Sequence, residues 1–248
     1  MAFDLLGLGF ACIILMAYVL QTITGFGSTV VALSLGAIWY SIDELLPFLI
    51  FTNILFTSFL AYKNRRYIHK HLALNIVLPG MLIGTVLGYL IKSYLDDELL
   101  KKILGLLIVW VSSLELWRLY KDQIPIMHST IKSRLLTLLA GLSHEIFASG
   151  GPLLVYAIAG FNVNKAQFRA TVVVCLFVLN CILTIAFLLD GRLQPVLPFV
   201  VAAIPLILIA VKAGNYIHDF VNEELFKKGI FILLLLSGIN LMVGCHLT

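Results

Sequence analysis

The sequence predicts an all-α polytopic integral membrane protein. It is built as two inverted repeats, each a broken or re-entrant helix pair followed by three transmembrane helices. Three observations predict this. First, 61% of the 248 residues are hydrophobic and 12% are charged, with a mean hydropathy of +1.04, whereas soluble domains carry roughly 25% charged residues. Second, apolar runs approaching the width of a bilayer recur along the chain. Third, the chain resembles itself at an offset of 126 residues.

The apolar runs are Leu45 to Tyr62, Leu72 to Ile91, Ile103 to Trp117, Thr171 to Leu189, Pro195 to Val211 and Gly229 to Val243. No loop is long enough to form a soluble domain, and the first apolar segment lacks the basic flank and cleavage site of a signal peptide. The net charge of +4 is scattered over short loops, so it reports topology and gives no sign of a nucleic-acid partner. Cys12, Cys175, Cys181 and Cys245 show no CxxC spacing and read as buried apolar fillers.

The repeat is clearest where "GYLIKSYLDDELLKKILGLLIVW" from Gly88 meets "GNYIHDFVNEELFKKGIFILLLL" from Gly214. An acidic cluster, Lys-Lys and an apolar helix occur twice. Upstream, "TGFGSTVVALSLGAIW" from Thr24 resembles "FASGGPLLVYAIAGF" from Phe147, at an offset near 123. The halves are residues 1–120 and 133–248, joined by a polar cytoplasmic linker at 121–132.

Loop charge sets the topology. If each break region is a pair of segments returning to one side, regions 63–71, 118–134, 161–169 and 212–228 share a face. That face then holds 13 of the 17 Lys and Arg and is predicted cytoplasmic. If each break region crosses once, the split is 9 against 8, which is no bias. The returning pair gives each half an odd number of passes, so the second half is inverted. Inverted repeats with broken helices point to a secondary transporter with its site near the midplane.

The breaks themselves suggest what is bound. Leu135 to Ala148 and Leu153 to Phe161 are each too short to span comfortably, the first being about 21 Å as a helix. They read as short helices meeting at Ser149-Gly150-Gly151 inside the membrane. Pro152 suits the start of the second helix, and Ser149 is a candidate N-cap. A helix beginning there aims orphan N–H groups and its positive dipole end at the interior, which is an anion site. Thr24-Gly25-Phe26-Gly27-Ser28-Thr29 repeats the device without a proline, with a helix resuming near Ser28. By inverted symmetry the two helix starts converge. The candidate substrate-binding set is therefore Gln21, Thr24, Gly25, Phe26, Gly27, Ser28, Thr29, Ser149, Gly150, Gly151, Pro152, Leu153 and Tyr156. The competing reading of the glycines is close helix packing alone.

Polar residues near the breaks have two readings each. His144 and Glu145 are candidates for proton coupling, or Glu145 caps a broken segment or pairs with His144. Arg169 draws anions or snorkels to headgroups. Asn53, Thr57 and Asn180 line a path or join helices. Tyr156 faces the cavity or packs on it.

Enzyme readings fail. "HEIFA" at His144 has Ala148 where the zinc motif needs a second His. "ASGG" at Ala148 lacks a second element that would confirm a serine hydrolase. No nucleotide-binding fingerprint appears, and no metal or other cofactor is implied.

"GFGSTVVALSL" and "GLSHEIFASGGPLLVYAI", followed by "NKAQFRAT", resemble the sulfite exporter TauE/SafE family, also called 4-toluene sulfonate uptake permeases. The resemblance covers nearly the whole chain, including the Lys165-Ala-x-x-Arg169-Ala-Thr stretch. It implies secondary transport, at the bacterial inner membrane, of small sulfur-containing or carboxylated anions such as sulfite, sulfonates, sulfoacetate or thiosulfate-like species. The sequence departs from the family's Gly-rich first break, where Ser28-Thr29 stand instead. The expected partners are a small anion, the lipid bilayer and protons as coupling ion, with a homodimer as candidate assembly. The alternatives are a carrier of a cation or neutral solute centred on Glu145, and a non-transporting membrane assembly subunit.

Overall fold

The computed structural model describes the chain apart from residues 1–7, 25–26, 93, 122–128, 162, 221–222 and 244–248. The first half holds α1 (Leu8–Thr24), α2 (Ser28–Gly36), α3 (Ile42–Asn64), a short α4 (Lys70–Leu72) continuing into α5 (Leu78–Lys92), and α6 (Asp97–Lys121). The second half holds α7 (Thr130–Phe147), α8 (Gly151–Ala159), α9 (Lys165–Leu189), α10 (Leu197–Phe220) and α11 (Glu223–Val243). Among the described residues there is no strand. The fold is thus all-α and polytopic. Ile42–Tyr67, Lys70–Lys92, Ala166–Leu189 and Gln194–Gly214 are each long and apolar enough to cross a bilayer.

Each expected element is found, with three differences. The helix before the second break begins at Thr130 rather than near Leu135, because Ser129 accepts the Lys132 N–H and caps it. Its 18 residues make it about 27 Å long. Between Lys70 and Lys92 the helix widens into a π turn at Ala73–Val77, closed by the Leu78 N–H on the Ala73 carbonyl. Pro79 follows at once and brings no N–H to the ladder, so the π turn accommodates a proline that would otherwise break the span. Finally, Cys175 is buried as expected, but Cys12 is exposed. It lies on a face of α1 that the chain leaves uncovered, where a weakly polar thiol suits lipid. Cys245 lies outside the described residues.

Two compact units form, and each draws on both halves of the sequence. One comprises residues 1–49, 96–123 and 192–248; the other comprises 50–95 and 124–191. In the first unit, α1 packs on α10 and α2, and α6 packs on α11. Gly105 and Gly238 face each other: a methyl on Gly105 would stand 2.7 Å from the Gly238 carbonyl oxygen, and one on Gly238 would stand 2.9 Å from that of Gly105. Phe10 fills the space beside Gly36 and stacks edge-on against Tyr40 at 5.7 Å. Ser237 Oγ donates to the Ser34 carbonyl at 3.0 Å, and the Asp97 carboxylate accepts the Ile42 N–H at 3.0 Å.

In the second unit, α5 lies along α7, and α8 packs between α7 and α9. α5 buries Met81, Gly84, Thr85 and Gly88 and turns Leu82, Ile83, Val86, Tyr89 and Leu90 outward. This inverts the soluble pattern: the small residues are inside and the large apolar ones face lipid. Tails and side chains are equally apolar there, so close backbone approach drives association. Gly84 abuts the Leu138 carbonyl, and Gly141 abuts the Met81 backbone.

The two similar stretches that begin at Gly88 and Gly214 make similar contacts. A methyl on Gly88 would meet Glu145 Cβ at 2.8 Å and the Leu142 carbonyl oxygen at 3.0 Å. A methyl on Gly214 would meet Thr22 Cβ at 2.8 Å and the Val19 carbonyl oxygen at 3.2 Å. Each glycine opens one of the repeated stretches, and each receives the helix that precedes a break. Glu145 and Thr22, and Leu142 and Val19, are related by the same offset of 123 residues.

Candidate functional site: two helix breaks

The second break is built by a tight reversal. α7 ends at Phe147, and Ala148 takes a left-handed conformation at φ 50°, its N–H bonding the His144 carbonyl at 2.7 Å. An alanine there costs on the order of 1 kcal/mol, which the surrounding packing must offset. The chain then folds back on α7. A methyl on Gly150 would press on the Ala140 carbonyl and stand 2.9 Å from His144 Cβ. The absent side chain of Gly150 therefore serves close packing, the structural reading of that glycine.

α8 starts at Gly151 with Pro152 in its first turn, as the proline position predicts. Its first helical bond runs from the Leu154 N–H to the Gly150 carbonyl at 3.0 Å. The N–H groups of Gly151 and Leu153 thus precede the ladder, and Pro152 has none to place. Ser149 does not cap the helix as expected. The cap position falls on Gly150, which has no side chain to offer. The Ser149 carbonyl instead accepts a 3.4 Å bond from Ser143 Oγ. Its own hydroxyl is buried with no partner.

His144 sits one turn before the break and is 2% exposed. Neither ring nitrogen has a hydrogen-bond partner of acceptable geometry. Asn180 on α9 is the polar side chain beside the ring, and its amide donates to Asn53 Oδ1 at 3.2 Å. Asn53 and Asn180 join α3 to α9 directly. Thr57 turns its hydroxyl back to the Asn53 carbonyl at 2.9 Å, so it is satisfied within its own helix. Glu145 is buried against Gly88 and engaged with other groups. Tyr156 is half-buried and also engaged. Arg169 is exposed in the first turns of α9.

The first break is a real interruption: α1 ends at Thr24 and α2 begins at Ser28. Gly27 is left-handed at φ 101° and accepts the Val31 N–H at 3.1 Å. Gly25 and Phe26 lie outside the described residues, as does the side chain of Thr24. Ser28, Thr29 and Gln21 are buried, and each is engaged with other groups.

Sequence reasoning missed Ala148, whose left-handed turn has no compositional signal. It also missed the role of Gly88 and Gly214, although both glycines open the repeated stretches. His144 and Ser149 were both legible as polar residues in an apolar setting, and the structure brings them to the same break.

The sequence profile described as "Sulfite exporter TauE/SafE" matches residues 10–241. The probable inner membrane transporter protein TsaS of Comamonas testosteroni is 26% identical over 179 residues, covering 68% of this chain and 71% of that one. No solved structure matches. The chain is thus a multi-pass inner-membrane transport protein and not an enzyme, and it belongs to the sulfite exporter TauE/SafE family.

Proposed function

We propose that the protein is a secondary transporter of a small, sulfur-containing anion, and that the second break is its principal anion-binding element. One observation carries this reading: a helix starts inside the chain's apolar body at Gly151, beside a buried hydroxyl and a buried imidazole that lack partners. Buried polar groups left unsatisfied are costly, so their retention at a helix N-terminus fits a ligand that completes them. The dipole and the N–H groups of Gly151 and Leu153 supply the positive end. Gly27, Ser28 and Thr29, with Thr24, Gly25, Phe26 and Gln21, form the corresponding element of the first repeat. Tyr156 and Leu153 shape the second.

The two halves act as inverted repeats that exchange access by rocking, with loops 63–71, 118–134, 161–169 and 212–228 on the cytoplasmic side. On the opposite face Lys101 pairs with Asp97 at 3.2 Å, Lys102 with Glu98 at 2.6 Å and Arg192 with Asp43 at 3.6 Å. His144 and Glu145 are the candidate proton-coupling groups.

A second reading rests on Glu145, the one buried carboxylate among the described residues. It makes the protein a carrier of cations or neutral solutes. Flux from proteoliposomes separates the two. Saturable uptake of at least one of radiolabelled sulfite, thiosulfate and isethionate is expected. Saturable flux of cations or neutral solutes with none of any anion would overturn the anion reading in favour of Glu145.

A further inference from the structure

We infer that the second break takes singly charged oxyanions and discriminates against doubly charged ones of the same shape. This inference rests on the anion reading of that break and specifies its substrate class. Its basis is the charge inventory around the break. Among the described side chains no Lys or Arg is buried. The groups gathered at the break are neutral donors: the Ser149 hydroxyl, the His144 imidazole and the backbone N–H groups that open α8. The carboxyl group next to them, Glu145, is buried on the same helix and adds no positive charge.

The positive end of a helix is worth about half an elementary charge. Its attraction for an ion grows in proportion to the ion's charge. The cost of removing that ion from water grows as the square of the charge, so about fourfold from a monoanion to a dianion. A site with a buried Arg or Lys offsets that difference; among the described residues this one offers dipoles and neutral donors. His144 and Ser149 still matter to a monoanion, since each gives it a hydrogen bond that a dry site otherwise lacks.

Methanesulfonate and methylphosphonate test this directly. They share shape and methyl group and, at alkaline pH, differ by one charge, while an ordinary imidazole is neutral there. Calorimetric titration of the full-length protein in detergent is expected to show methanesulfonate binding at least about tenfold more tightly. Ser149→Ala, checked for an unchanged elution profile, is expected to weaken methanesulfonate by roughly three- to tenfold, which locates the preference at the break. Equal or tighter binding of methylphosphonate overturns the charge inference and leaves an anion site standing. Binding of neither ion overturns the anion reading and the inference together. A charge preference that Ser149→Ala leaves untouched in both affinities places the discrimination elsewhere and overturns its assignment to this break.

Discussion

The two breaks share backbone features and differ in the side chains around them. Both follow a helix whose side is received by a glycine, Gly214 for the first and Gly88 for the second. Both pass through a left-handed residue, Gly27 at φ 101° and Ala148 at φ 50°. They differ in what stands around the turn. Gln21 and Thr22 occupy the positions that His144 and Glu145 hold in the second half. Gln21, Ser28 and Thr29 are all engaged, and Thr22 Oγ1 bonds back to the Tyr18 carbonyl at 2.8 Å. At the second break His144 and Ser149 are unpartnered. The described polar side chains of the first break are thus engaged, whereas His144 and Ser149 at the second lack hydrogen bonds. The break geometry thus occurs in both halves, whereas the buried imidazole and hydroxyl without hydrogen bonds stand beside the second.

Substitutions can break that comparison, and the largest effect belongs to Gly151→Val. A β-branched residue at the start of α8 obstructs the N–H groups there, and anion binding is expected to fall below detection while the protein elutes as before. The packing seams come next. Gly84→Ala or Gly141→Ala forces α5 and α7 apart, because the added methyl meets backbone carbonyls that cannot rotate away. Overpacking of this kind costs about 1–3 kcal/mol and is read as a lower unfolding temperature without any ligand. Gly27→Ala should be milder, since the nearest atom to its added methyl is Leu20 Cδ2 at 3.8 Å and the penalty is conformational, about 1 kcal/mol. The smallest effect is the coupling between Asn53 and Asn180. A double-mutant cycle with Asn53→Ala and Asn180→Ala should give about 0.6 kcal/mol, typical of hydrogen bonds between membrane helices. Additive losses would remove that bond from the account of how α3 and α9 are held.

The spans were legible because length and apolarity alone specify a membrane helix. The second break was legible because Pro152 and the paired glycines are strong local signals in an apolar run. Less legible was where α7 begins, since Ser129 lies within a polar stretch whose other serine and threonine residues offer similar caps. The π turn before Pro79 was hidden because it is a response of the backbone to a proline already inside a span. Helix partnership was also hidden. α5 meets α7 through Gly84 and Gly88, and α10 meets α1 through Gly214, pairings that join opposite halves of the sequence. In water an apolar stripe marks the buried face. Here Leu82, Ile83 and Val86 face outward, so hydropathy points the wrong way and only the small residues carry the information. Ser149 looked like a cap because serine usually is one, but the helix starts one residue too late for its hydroxyl to serve.

The most direct measurement is a thermal-shift titration of the purified protein and its Gly151→Val variant against sulfite, thiosulfate, sulfoacetate and isethionate. A ligand of the folded state raises stability by RT ln(1 + [L]/Kd), about 2.7 kcal/mol at a hundredfold excess over Kd. The account predicts saturable stabilisation of the parent by at least one of these anions and none in the variant. Equal stabilisation of both proteins would contradict an anion site at the start of α8.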